Sequence, residues 1–78
     1  MAGASKTADL VEFIAKAIVT EPEAVVVSEV DGGRTIELET APGDRGRVIG
    51  RQGRVAKAIR AVIGASRIGG HTRLEIID

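Results

Sequence analysis

Val48-Ile49-Gly50-Arg51-Gln52-Gly53-Arg54-Val55 decides how this 78-residue chain is read. Two glycines enclose two polar residues, an apolar pair precedes them, and an amphipathic segment follows. In Arg54 to Ile63, Val55, Ala56, Ile59, Val62 and Ile63 make an apolar stripe, while Arg54, Lys57 and Arg60 make a basic one. That spacing predicts a helix starting at or just after Gly53, with Gly64 as its C-terminal cap. Upstream, Ala41-Pro42-Gly43-Asp44 breaks the chain, and Arg45 to Ile49 is short enough for one or two helical turns. The four residues Gly50 to Gly53 therefore join two helices.

Several chemistries use glycine this way. A Walker phosphate loop needs G-x-x-x-x-G-K-[ST], and no Gly-Lys-Ser/Thr occurs in the chain. A dinucleotide fingerprint needs G-x-G-x-x-G directly after a strand in a βαβ unit, and both spacing and length are wrong for it. A plain corner between two helices would use glycine only to permit positive φ. The basic residues Arg51 and Arg54 favour an anion site instead. Glycine lets a phosphate approach the main chain, a helix N-terminus carries partial positive charge, and arginine adds charge-assisted hydrogen bonds.

Outward from this centre, Arg34 to Thr40 alternates apolar and polar residues, Asp31-Gly32-Gly33 is a turn signal, and residues 24–30 are rich in β-branched side chains. These predict a hairpin with Ile36 and Leu38 buried and Glu37 and Glu39 on the solvated face. Earlier still, Leu10, Phe13, Ile14, Ala17 and Ile18 recur at three- and four-residue spacing. They predict a core-packed helix with Thr7 as N-cap, stopped by Pro22. Residues 1–7 are expected to be flexible, and 8–78 to form one domain. Thr72 to Ile77 alternates and predicts a final strand, after a loop at residues 65–71 that holds the only histidine, His71. The order is helix, strand, strand, short helix, helix, strand.

Composition narrows the function. Net charge is zero, but residues 1–43 hold three basic against eight acidic residues, while 44–63 hold six basic against Asp44 alone. The asymmetry implies a local anion site, not general affinity for polyanions. Phe13 is the sole aromatic residue, which excludes modules that stack bases on surface aromatics. There is no cysteine, which fits a reducing, cytoplasmic setting. No stretch is long and apolar enough to span a membrane. No spacing suggests a metal site, a nucleophilic triad or a cofactor, and the chain reads as a non-enzyme that takes no small-molecule substrate.

The segment Val48 to Gly53, followed by Val55, Ile59 and Ile63, resembles the I-G-x-x-G core of a KH domain. With Val19 to Val25, the hairpin through Glu29 to Leu38, and the ending Leu74-Glu75-Ile76-Ile77-Asp78, it is similar to the KhpA family of small stand-alone bacterial KH proteins. The resemblance implies an α+β, type II KH fold of order α-β-β-α-α-β, with a three-stranded sheet packed on one side by three helices. It implies single-stranded RNA as the ligand, clamped by the G-x-x-G loop. Gly50 and Gly53 would meet phosphates, and Arg51 and Gln52 would touch the sugar-phosphate chain. Val48, Ile49 and Val55 would line an apolar groove floor, and Arg54 and Lys57 would flank it. It further implies a homodimer or a heterodimer with a larger KH-containing protein, and a role as an RNA chaperone in post-transcriptional regulation or cell shape. An assembly module in which RNA is secondary is the alternative.

Overall fold

The computed structural model describes residues 6–65 and 72–77. Its elements are α1 (Lys6–Ile18), β1 (Val26–Val30), β2 (Thr35–Glu39), α2 (Arg45–Ile49), α3 (Arg54–Ala65) and β3 (Arg73–Ile77), with short 3-10 turns between them. The fold is α+β, in the expected order α-β-β-α-α-β. The sheet runs β1-β2-β3, with β1 antiparallel and β3 parallel to the central β2. The parallel pair needs a long crossover, and α2 and α3 supply it.

The hairpin turn takes its shape from three successive residues with positive φ: Asp31 at 57°, Gly32 at 65° and Gly33 at 90°. Two of the three are glycines, which enter that region at little cost. On β2, Ile36 and Leu38 point toward the helices and have no exposed surface. Their cross-strand partners on β3 are Leu74 and Ile76. Val11 and Ala15 of α1, Val48 of α2, and Ile59 and Ile63 of α3 complete the core. Each buried Leu or Ile contributes about 1.5 to 3 kcal/mol of transfer free energy. Glu37 and Glu39 lie on the opposite sheet face, as expected, and the register sets Glu37 beside Glu75 there.

Four expectations are corrected. The helix already includes Lys6 and Thr7, so Thr7 is a buried first-turn residue and not an N-cap. The core face of α1 is Thr7, Ala8, Val11 and Ala15, while Phe13 is 74% exposed and Ala17 is exposed. α3 continues through Gly64 to Ala65, so Gly64 does not cap it, and its Val62 is exposed instead of lying in the apolar stripe. The segment Pro22–Ala24 is a 3-10 turn, which shortens the first strand to Val26–Val30. Residues 66–71, with His71, lie outside the described residues.

Candidate nucleic-acid interface

α2 ends with the Gly50 N–H donating to the Gly46 carbonyl at 2.8 Å. Gly50 then adopts φ 77°, ψ 170°, a region open essentially to glycine alone. A Cβ at Gly50 would lie 2.5 Å from Val55 Cγ2 and 2.8 Å from the Val55 backbone nitrogen. This glycine therefore lets α2 and α3 close against each other. Gln52 follows in the left-handed region at φ 57°, and Gly53 has φ 75°. A Cβ at Gly53 would meet nothing within 4 Å. The two glycines do different things: Gly50 faces the protein, and Gly53 faces outward.

The loop is tied to itself. The Gly53 N–H donates to the Gly50 carbonyl at 3.1 Å, and the Arg54 N–H donates to the Arg51 carbonyl. The N–H groups of Gly53 and Arg54 are therefore engaged within the loop. Arg51, Arg54 and Lys57 are exposed, as is Gln52. Val48 is fully buried in the core and offers no surface to a ligand, a correction to its expected place on a groove floor. Val55 packs against the core as a partly buried residue, and Ile49 is half-buried.

Asp44, the single acid of the basic segment, is not a surface charge. It is 1% exposed. Its carboxylate accepts from the Thr20 N–H at 3.0 Å, the Thr20 hydroxyl at 2.9 Å and the Glu21 N–H at 3.0 Å. The Thr20 N–H above all holds its carboxyl below the ordinary range; the other hydrogen bonds and the Arg47 guanidinium at 3.4 Å add to this, against the opposing effect of burial. The outer surface of the segment is thus left to its cations.

A second feature escapes a reading of the sequence. An open groove of about 650 Å³ runs along β3, lined by Arg60, Thr72 and the strand from Arg73 to Ile77. Among the described residues no strand lies beyond β3. The Arg73 N–H donates to the Arg34 carbonyl of the β2 side at 2.8 Å. Alternation then turns the main-chain groups of Leu74 and Ile76 to the free edge. In agreement, Arg60 Nη2 donates to the Leu74 carbonyl from that side at 3.1 Å. Arg60 stands six residues after Arg54, about 9 Å along the α3 axis, so loop and groove lie within reach of a few nucleotides. Only its place in the basic stripe could have marked Arg60. Val48, Ile49 and Val55 do not line this groove. No group of residues able to hold a metal ion occurs among the described residues, and no helix is long and apolar enough to cross a membrane.

With this geometry established, comparison places the chain among known sequences. The family described as KhpA/KhpB, KH domain matches residues 8–76. An RNA-binding protein KhpA of Clostridium perfringens is 55% identical over 62 residues, covering 77% of this chain and 83% of the relative. That of Clostridium acetobutylicum is 51% identical over 69 residues, 86% of this chain and 92% of its own. That of Aquifex aeolicus is 42% identical over 74 residues, 90% of this chain and 94% of its own. No solved structure matches the chain.

Proposed function

Since the chain belongs to the KhpA/KhpB KH-domain family, we propose that it binds single-stranded RNA, with the phosphate chain over Gly50 to Gly53 and the bases along the free edge of β3. The relatives bear the names of binding proteins, not of enzymes. The observation that carries the site is the outward face of the loop. Gly53 leaves open space where a side chain would stand, and Arg51, Arg54 and Lys57 surround it without a buried role. A phosphate fits that space and that charge.

The protein works in the cytoplasm as a homodimer or with a larger KH-containing partner, serving post-transcriptional regulation as an RNA chaperone. One groove holds few nucleotides, and joining two raises affinity through effective concentration. Exposed Ala58, Ala61, Val62 and Ala65 on α3 support an assembling face, and they keep open the second reading, in which assembly is primary and RNA secondary.

Fluorescence anisotropy of short single-stranded RNAs tests the first reading with Gly53→Asn and Gly53→Asp. Both side chains tolerate the left-handed region, both fill the same space, and only Asp is charged. Asp is expected to weaken binding at least about tenfold more than Asn, the worth of one charge-assisted contact. Equal binding by wild type, Asn and Asp variants would reduce the loop to a helix corner and leave the assembly reading.

A further inference from the structure

We infer that the uncovered face of the sheet docks the glycine loop of a second copy of this chain, in a head-to-tail contact that single-stranded RNA disperses. The dispersal rests on the reading that RNA occupies the same loop; the contact itself does not.

The sheet carries helices on one side only. On its other side, register places Val26, Glu39 and Ile77 in one row and Glu37 beside Glu75 in the next. Paired strands lie about 4.8 Å apart, and residues two apart on a strand about 7 Å. Three carboxylates therefore gather within one small patch of β2 and β3. Val26, 50% exposed, and the half-buried Ile77 give that patch an apolar margin. Arg73, one row beyond Glu75, is the only cation on this face among the described residues.

The chain also carries the complement. Arg51, Arg54 and Lys57 stand exposed around the loop. Arg54 and Lys57, three apart on α3, are about 5 to 6 Å from each other, a spacing that suits the glutamates. Among the described residues, neither set of three enters an ion pair. The loop belongs to the helical layer and the glutamates face away from that layer, so one molecule cannot join the two sets. Two molecules can. Net charge is zero, so no long-range repulsion opposes their approach. The contact joins unlike faces and leaves each copy a free face of either kind, which makes it heterologous and open-ended. Exposed ion pairs are individually weak, so the contact is transient and fills at high protein concentration and low salt. While it lasts it covers the loop, and phosphates that take the same cations release it.

Sedimentation velocity over a concentration series tests this, with circular dichroism confirming the fold of each variant. It is run in about 10 mM salt, where charges act over about 30 Å, and in about 1 M, where they act over about 3 Å. The mean mass of wild type is expected to rise with concentration at low salt and to lose that rise at high salt. A Glu37→Gln/Glu39→Gln/Glu75→Gln variant lacks the acidic face, and an Arg51→Gln/Arg54→Gln/Lys57→Gln variant lacks the basic one. Each alone should self-associate at least about tenfold more weakly, the worth of three exposed ion pairs. An equal mixture should recover association, because each variant keeps the face that the other has lost. An Asp9→Asn/Glu21→Gln/Glu23→Gln variant shifts net charge as much as the sheet variant, at exposed positions outside the sheet, and should associate like wild type. A saturating single-stranded RNA octamer should disperse the wild-type assemblies. Wild-type mass that does not respond to salt, a mixture no larger than its components, or a control variant that loses as much as the sheet variant overturns the inference, while RNA binding measured by anisotropy stands. Assemblies that persist with RNA bound overturn the dispersal. Failure of wild type to bind RNA removes the binding reading and the dispersal with it.

Discussion

Asp44 and Thr20 are joined across 24 residues of chain: one carboxylate accepts from both the backbone N–H and the hydroxyl of Thr20, at 3.0 and 2.9 Å. The pair clips the end of α1 to the start of α2. The same carboxylate receives the Glu21 N–H and faces Arg47, so an almost wholly buried charge has a donor on each side.

This clip has a pH signature. The Asp44 pKa is held below its ordinary value of 3.8, first by the Thr20 N–H. A carboxylate lowered on folding contributes in full above its unfolded pKa, and the contribution is lost as pH falls through the folded one. Asp44→Asn should lower the thermal midpoint at pH 7, because its amide NH₂ turns toward N–H donors. Wild type should lose stability on acidification below about pH 4, the unfolded carboxylate range, so the gap between the two proteins narrows there. Thermal unfolding by circular dichroism from pH 7 to 2.5 reads this directly, and a gap independent of pH would show that the charge of Asp44 is not what the clip uses.

The two loop glycines should separate in stability. Gly50→Ala combines left-handed strain with a collision against the Val55 backbone, together about 2 to 4 kcal/mol. Gly53→Ala meets open space and costs about 1 kcal/mol for its positive φ alone. Urea unfolding of both variants measures the difference. Equal losses would mean that α2 and α3 part without penalty at Gly50.

α1 shows where hydropathy misleads. Leu10, Phe13 and Ala17 are as apolar as a core face requires, yet the helix turns Ala8, Val11 and Ala15 inward. Ile14 and Ile18 pack at the margin of that face, while the small Ala17 is exposed, so position around the helix, and not apolarity alone, decides which residues lie inside. Phe13→Ser should therefore change stability by no more than about 0.5 kcal/mol, as exposed substitutions do. Val11→Ala should cost about 2 kcal/mol as a core truncation. The opposite ranking in urea unfolding would put Phe13 back in the core.

Other parts of the molecule were open to reading for identifiable reasons. The β2 alternation survives because Ile36 and Leu38 have one buried face to fill, and the G-x-x-G loop shows because backbone geometry at Gly50 admits only glycine. Asp44 and Arg60 were hidden because their partners are distant in the chain and include main-chain groups, the Thr20 N–H and the Leu74 carbonyl. Side-chain patterns carry no trace of a backbone acceptor 14 residues away. Val48 was misplaced because an apolar residue before a loop fits a core wall and a groove floor equally well.

Arg51, Arg54 and Lys57 are exposed around a loop whose Gly53 and Arg54 N–H groups are engaged within it, and that makes salt a direct probe of the loop. For single strands the slope of log K against log salt is about −0.7 per phosphate neutralised. If Arg51, Arg54 and Lys57 each engage one phosphate, the wild-type slope is roughly −2. Lys57→Ala should reduce its magnitude by about 0.7 and weaken every RNA sequence by the same factor. Lys57 is exposed on α3, so the change should leave stability within about 0.5 kcal/mol. Anisotropy titrations at several salt concentrations give both slopes. An unchanged slope would remove Lys57 from the phosphate path, while a loss confined to one RNA sequence would move it to the bases.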